Sequence, residues 1–585
     1  MHPNDPIRRV LVIDLSKRTF EVMDRPELFQ ASIGGAGTAI RLLEERCPPG
    51  ADPLGPENPI ILAVGPLVGL YPLASKTVAM FKSPHTGNLG ESHAGGRSAV
   101  SIRMAGYGAV VITGRSPGPT YLVIEDGRVA FRDASALWGV RSSATAGSVL
   151  REREGGSGHR SILRIGPAGE AEVSYACVIT ETYRHFGRLG LGAVFGSKRL
   201  KGIVIAGTRT LPVADPVAYR REYDALFRAA TTSPAMRKYH DLGTPMNVLP
   251  LNESGALPTR NLRATRFEAA EAISGEAMAS RFLGRRLACS HCPVACIHLA
   301  ALRTPHPKEP YFYKTSMLGY DYELIYALGS LLGIADPEGI LRLADEVEIQ
   351  GLDAMSAGVV LAWATEAYER GLVAKDDLDG IPLAWGDAEA YASAVRRIVR
   401  RPTDLYRALA QGVDYASSVY GGREFALAFG GNEMPGYHTG PACHLGFLTG
   451  SRHSHLDSAG YSVDQKVPPE GVGLTGDEIV AALIAEEQWR QVLSSLVVCF
   501  FARGLYTPDA VTRALAPLGI AATPADFDRI GAETLRRKWA FKRREGFDPT
   551  RLRIPERVCE TETPLGRVDS DVIRRALERF AALSS

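Results

Sequence analysis

The chain has 585 residues, too many for one simple core, so about two to four domains are expected. Lys and Arg number 67 against 65 Asp and Glu, a formal charge of +2, which excludes the electrostatic footprint of a nucleic-acid or anionic-membrane binder. The composition is that of an ordinary soluble globular protein, with small molecules or other proteins as the expected partners.

The opening Met-His-Pro-Asn-Asp-Pro lacks the basic and apolar regions of a secretory signal, and a cytoplasmic location is expected. There the eight cysteines stay reduced, and clustered ones read as metal ligands or redox groups rather than disulfides. Residues 1–210 read as β-rich. Residues 8–14 and 19–23 pair as a hairpin around Ser16-Lys17-Arg18, and residues 121–131 form a second with Asp126-Gly127 at its turn. A third is predicted from residues 161–165 and 171–178 around Gly166-Pro167-Ala168-Gly169. Such pairs imply antiparallel sheets rather than a nucleotide-binding crossover fold. The apolar run 60–74 is broken by Gly65, Pro66, Gly69 and Pro72, so it is no spanning helix.

Glycine is spent in clusters. Gly34-Gly35-Ala36-Gly37 opens a predicted helix over 38–46 but carries Ile40 where a dinucleotide fingerprint has its third glycine. Gly95-Gly96-Arg97 follows Glu91-Ser92-His93, and Gly187-Arg188-Leu189-Gly190-Leu191-Gly192 precedes Gly196-Ser197-Lys198. Tight turns account for each cluster singly. Together, with Arg97, Arg188 and Lys198 beside them, they favour backbone cradling of an anionic, phosphate-bearing ligand. No Walker motif is present, which argues against a nucleoside triphosphate.

From residue 211 the pattern turns helical. Asp336 and Pro337 are placed to cap and start a helix whose Ile340, Leu343, Ala344 and Val347 repeat at helical spacing before Gly351. A second helix runs through Val359, Ala362, Trp363 and Ala367 to Gly371, and helical signals continue over 387–419, 476–502 and 570–583. Domains are expected at 1–210, 211–420 and 421–585. Between the helices lies the most telling stretch, Cys289-Ser290-His291-Cys292-Pro293-Val294-Ala295-Cys296. Three thiols at spacings of three and four suit an iron–sulfur cluster completed by one distant cysteine. A zinc site using His291, or buried thiols acting as small apolar side chains, are the competing readings.

With these features the chain resembles the tungsten-containing aldehyde:ferredoxin oxidoreductase family. The similarity runs from Gly34-Gly35-Ala36-Gly37 through Lys82-Ser83-Pro84-His85-Thr86-Gly87, the 187–194 run and Glu348-Ile349-Gln350-Gly351-Leu352-Asp353, to Arg543-Arg544-Glu545-Gly546-Phe547. The resemblance implies an α+β fold: a β-rich domain of two packed sheets forming a saddle for the cofactor, then two mainly α-helical domains. It implies a tungsten bis-pterin cofactor (tungstopterin), Mg2+ linking the pterin phosphates, and a [4Fe-4S] cluster held by Cys289, Cys292, Cys296 and Cys499.

Carried over residue by residue, the pterin-binding set takes Glu348, Gly351, Leu352 and Asp353 from one loop. Glu348 replaces the usual Asp but keeps a carboxylate acceptor. The second loop, Ser494-Ser495-Leu496-Val497-Val498-Cys499, has lost its Asp, Gly and Leu and keeps only its cysteine. Lys76 and His93 stand where the family has an Arg on the cofactor and an Asn near the magnesium, and Gly95, Gly96, Arg97, Gly187, Arg188, Gly190 and Gly192 complete the expected contacts. A Glu and a His beside the metal match Glu323 and His455, with His453 as the alternative. Tyr320, Tyr322 and Tyr326 are expected to enclose Glu323 and raise its pKa. The implied reaction oxidises an aldehyde with water to a carboxylic acid, with electrons leaving to a ferredoxin or ferredoxin-like subunit. Two alternatives stand beside it: a benzoyl-CoA reductase-type tungsten subunit, and a noncatalytic iron–sulfur electron-transfer protein. Homo- or hetero-oligomerisation is open.

Overall fold

Two six-stranded sheets organise the N-terminal region of the computed structural model, which describes residues 4–155, 158–306, 308–467 and 474–584. The first takes β1 (Arg9–Asp14), β2 (Thr19–Asp24), β3 (Ile60–Ala63), β4 (Thr77–Lys82), β5 (Leu89–Ala94) and β6 (Ala109–Thr113) in the order β2-β1-β6-β3-β4-β5. The second takes β7 (Thr120–Glu125), β8 (Arg128–Asp133), β9 (His159–Arg164), β10 (Val178–Thr180), β11 (His185–Phe186) and β12 (Leu200–Gly207) in the order β11-β10-β9-β12-β7-β8. Ile13 and Val111 of one sheet share an apolar core with Ile124 and Ile205 of the other.

Two predicted hairpins form as read: β1 pairs antiparallel with β2, and β7 with β8 across Asp126 (φ 39°) and Gly127 (φ 92°). The third does not. Strand β9 pairs with β10, but Pro167–Glu170 is a short helix and residues 171–177 spend their backbone elsewhere. Ser174 donates to the Ala410 carbonyl at 2.9 Å and Cys177 to that of Gly351 at 2.9 Å, so this stretch ties the sheets to the helices. Nor are the sheets purely antiparallel, because β1 runs parallel to β6 and β7 to β12.

The helix-rich remainder begins its best-read element at Asp336, whose carboxylate accepts from Glu338 N and Gly339 N. The helix Pro337–Gln350 ends at Gly351 in the left-handed region, and Asp353 caps the next helix, Ala354–Glu369. One departure from mainly helical structure is a three-stranded sheet of β13 (Leu283–Leu287), β14 (Ile297–His306) and β15 (Glu309–Tyr320). Another unread element is the long helix Pro524–Arg544. Its signal was present in Thr523-Pro524-Ala525-Asp526, which forms a capping box with Pro in the first turn.

No single helix among the described residues is long and apolar enough to cross a membrane. The regions interlock: Val497 and Phe541 join the core of the N-terminal sheets. The glycines at 34–37 serve this packing rather than an anion. A Cβ on Gly35 (φ +36°) would lie 2.3 Å from the Ser494 carbonyl oxygen, and Gly37 N donates to Ser495 Oγ at 3.0 Å. Deeper in the helical part, Arg557 donates twice to buried Glu366, at 2.6 and 3.1 Å, while Asn261 donates to the same carboxylate at 2.8 Å. Arg557→Met is expected to lower unfolding stability by about 2–3 kcal/mol, because Glu366 then keeps only Arg370, at 2.6 Å, and Asn261 as donors. A denaturant midpoint shift checks this.

Candidate active site

The cysteine run is the connection from β13 to β14, turned by His291 and Ala295 at φ 58° and 53°. Cys289 settles against Gly95, where an added Cβ would sit 2.8 Å from its sulfur, and Ser290 N donates to the Gly96 carbonyl at 2.9 Å. Cys499 arrives from 200 residues away through one strip of backbone. Leu73 N donates to His291 O at 3.1 Å, Cys499 N donates to Leu73 O at 2.9 Å, and Lys76 N donates to Val497 O at 3.2 Å. Val497 is held at φ 55°, unusual for a β-branched residue, and that strain orients the cysteine two positions on. Cys289, Cys292, Cys296 and Cys499 are free thiols that line one cavity. They do not close on a point: among the described residues no three His, Cys, Asp or Glu side chains are placed to hold a single metal ion.

The cavity measures about 390 Å³ inside a cleft of about 2140 Å³ counted out to solvent; the first figure is within the roughly 300–1,000 Å³ usual for ligand sites. Lys76, Arg184, Arg188, Arg452, Arg490 and Arg503 line it, against the carboxylates of Glu91, Asp321 and Glu323. Arg188 donates to Asp353 Oδ2 at 3.3 Å and to the Glu433 carbonyl at 2.6 Å. Its Nη1 and the Nε of Arg184 are buried without a protein partner among the described residues. Arg452 and Arg490 are paired with Asp457 at 2.6 Å and Glu486 at 2.8 Å, and it is the unspent donors of Arg184 and Arg188 that fit an anionic ligand.

The positive groups lining the cavity are arginine and lysine side chains, while only part of the glycine set reaches it. Gly95 and Gly187 line the cavity, but Gly96, Arg97, Gly190 and Gly192 do not. Arg97 is exposed, and Gly190 and Gly192 admit the backbone of Ser174 and Cys177. Lys198 is sealed off, donating to the carbonyls of Pro56 at 3.0 Å and Gly114 at 3.2 Å. Arg184, Arg452, Arg490 and Arg503 went unread because each sits in a separate segment with no local pattern.

Behind the cavity wall, Glu348 holds the lining residue His185 at 2.6 Å, and Gly351 and Leu352 shape the turn that delivers Asp353 to Arg188. His93 bonds Glu91 at 2.7 Å, and Glu91 also receives Lys538 from the long C-terminal helix. Burial opposes ionisation of Glu91, but the Lys538 ammonium and the His93 bond hold its carboxyl well below the usual range. Burial lowers His93 to about 4.

The opposite end of the cavity is an acid–histidine corner. Asp321 caps the helix Tyr322–Leu328, which presents Glu323. Tyr322 OH bonds the Gly436 carbonyl and Tyr326 OH that of Met434, at 3.1 Å for the latter, fixing the segment whose Gly436 N donates to Glu323 Oε2 at 2.9 Å. Glu323 Oε1 lies 3.4 Å from His455 Nδ1, and neither atom has another partner among the described residues. Desolvation raises Glu323 to about 8, while desolvation and then Arg188 lower His455 to about 3. At neutral pH the imidazole is therefore neutral beside a largely protonated carboxyl. Tyr437 packs 5.3 Å from the His455 ring and stacks on Tyr461 at 4.6 Å. His453 points away, bonded to Phe447 O at 3.0 Å and Lys542 Nζ at 2.8 Å, so of the two histidines only His455 faces the cavity.

This chain matches the profile of the aldehyde ferredoxin oxidoreductase N-terminal domain over residues 10–207, and that of the same enzyme's domains 2 and 3 over residues 223–582. The chain belongs to the aldehyde ferredoxin oxidoreductase family. It is 34% identical over 583 residues to the tungsten-containing aldehyde ferredoxin oxidoreductase of Thermococcus kodakarensis, covering 97% of this chain and 93% of that one. The protein of that name from Pyrococcus furiosus is 32% identical over the same shares. A more divergent relative is the WOR-like subunit of an aliphatic sulfonate oxidoreductase from Pyrococcus furiosus, 30% identical over 67% of this chain and 64% of its own. The fold also matches the active-site complex BamBC of benzoyl coenzyme A reductase with 1,5-dienoyl-CoA, at TM-score 0.83 and 22% identity, covering 99% of this chain and 94% of that one.

Of the two loops that the resemblance assigns to the pterins, the second reaches the cavity only at its end. Ser494 is buried against Gly35 and does not line the cavity; Val498 and Cys499 do. The loop presents no carboxylate there, and Arg490, one turn earlier on the helix Gly476–Ser495, lines the cavity from the same side.

Proposed function

We propose that this family member oxidises a small aldehyde with water to the carboxylic acid, using a tungsten bis-pterin group and a [4Fe-4S] cluster and passing two electrons singly to an external carrier. The observation that carries the reading is the shared cavity: four free thiols and six cations line it together with the Glu323–His455 pair. Lys76, Arg184, Arg188, Arg452 and Arg490 would hold the pterin phosphates and rings, and Cys289, Cys292, Cys296 and Cys499 the cluster. When bound, these groups supply the two-electron oxidation and its one-electron exit. For Mg2+ the side chains do not fit. Glu91 is tied to Lys538 and His93, and imidazole is a poor ligand for a hard cation, so no step is assigned to it.

The chain's own part is proton handling and enclosure. Glu323, as the carboxylate, accepts a proton from the attacking water. His455, as the neutral Nε2–H tautomer, polarises the aldehyde oxygen during the attack, and its Nδ1 accepts a hydrogen bond from Glu323 once that carboxylate has taken the proton. The unbonded 3.4 Å contact suits a pair that closes only when one proton lies between its members. Overall, aldehyde and water become acid, two protons and two electrons. Tyr322, Tyr437 and Tyr461 line the corner, rings that suit the apolar part of a small aldehyde.

Elemental analysis and a viologen-dye assay on anaerobically purified protein test the reading. About one tungsten and about four irons per chain, with aldehyde-dependent dye reduction, are expected. Iron without tungsten, and no turnover, would instead point to a noncatalytic electron-transfer protein.

A further inference from the structure

Strand β13 pairs with β14 only as far as Ala300, while β14 and β15 remain paired out to Pro305 and Tyr313. Past Ala300 the sheet is therefore a two-stranded ribbon, about 20 Å long at about 3.3 Å per residue. A two-stranded ribbon is marginal in water without a covering layer. Its far end also exposes three consecutive aromatic residues, Tyr311 at 92%, Phe312 at 66% and Tyr313 at 54%. Aromatic side chains so placed mark a contact surface, and β15 is a free sheet edge that offers backbone hydrogen bonds to a partner.

The position and charge of the ribbon name the partner's chemistry. Strands β13 and β14 are the two arms of the cysteine run, and His291 at its apex is exposed. The thiol run joins the ends of β13 and β14 opposite the aromatic tip, about 30 Å away along the ten residues of β14, so a carrier gripped by the tip must lie along the sheet to reach the thiols. Between residues 283 and 320 the chain carries Arg285, Arg286, Arg303, Lys308 and Lys314, all exposed, against Glu309 as the one acidic residue. A two-fold pairing with a second copy would face these cations with their own kind. We infer that the β13–β15 ribbon is the docking arm for an acidic iron–sulfur electron carrier, gripped by the aromatic tip and steered by the basic strands. This rests on the proposed redox function.

The test uses the holoenzyme with an acidic low-potential [4Fe-4S] ferredoxin as probe. It compares wild type, the triple variant Tyr311→Ser, Phe312→Ser, Tyr313→Ser, and the charge-reversed variant Arg303→Glu, Lys308→Glu, Lys314→Glu. Both variants should keep viologen reduction within twofold of wild type while the ferredoxin Kd rises at least tenfold, and wild-type binding should weaken with salt. Unchanged ferredoxin affinity in both variants would overturn the inference. So would a dimer that the variants dissociate, or arm-dependent binding to phosphatidylglycerol vesicles in place of ferredoxin. Arm-dependent ferredoxin binding by a protein that oxidises no aldehyde would leave the docking arm standing and remove the proposed reaction instead.

Discussion

Glu323→Gln is expected to lower kcat for aldehyde oxidation by roughly 10²–10⁴-fold, the range typical of losing a positioned general base, with tungsten and iron contents unchanged. The amide oxygen of Gln can still accept from Gly436 N, the bond Glu323 makes at 2.9 Å, so the local backbone is retained. What is lost is the group that takes and returns a proton. Because burial raises Glu323 to about 8, its active carboxylate form is the minor one at neutral pH, and wild-type kcat should climb with pH to a limb near 8. The same shift has the opposite sign for stability. Protonated Glu323 favours the fold below its unfolded pKa, and that contribution disappears as pH rises through about 8. The variant should lose both the kinetic limb and this part of the stability profile. Turnover equal to wild type, with metals intact, would remove Glu323 from proton transfer and leave it a packing role.

The second large effect concerns the distant thiol. Cys499→Ala is expected to strip most of the bound iron and reduce aldehyde-dependent dye reduction by about 100-fold or more, since a cubane cluster needs four thiolates. The backbone strip through Leu73 uses main-chain atoms only, so the loop should keep its place and the loss should be chemical. Cys559→Ser is the control: this thiol is partly buried and lies outside the cavity, and iron and rate should stay within twofold of wild type. Full iron retention in Cys499→Ala would show that the fourth ligand is another residue.

Legibility in the sequence followed the range of the forces involved. The Asp126-Gly127 turn, the Asp336 cap with its Gly351 stop and the Cys289, Cys292 and Cys296 spacing depend on neighbours a few residues apart. Backbone sterics and capping act over that distance, so these features could be read directly. Where local pattern was asked to speak for distant contacts it misled. Glycines at 34–37, 96, 190 and 192 looked like an anion cradle, yet what approaches them is side chain or backbone from remote segments. The third hairpin failed similarly, because residues 171–177 hydrogen-bond to Gly351 and Ala410 rather than to their own sheet.

By itself, then, the sequence determined the local conformations, the β-rich then helix-rich order, the thiol trio and the family resemblance. Only the tertiary structure decided which charges and rings meet. Arg184, Arg188, Arg452, Arg490 and Arg503 reach one cavity from separate segments, and His455 rather than its neighbour two residues earlier turns toward Glu323. The reason is physical: electrostatic and packing energies act through space, between groups whose separation along the chain carries no periodic signal, and only the folded backbone sets their distances.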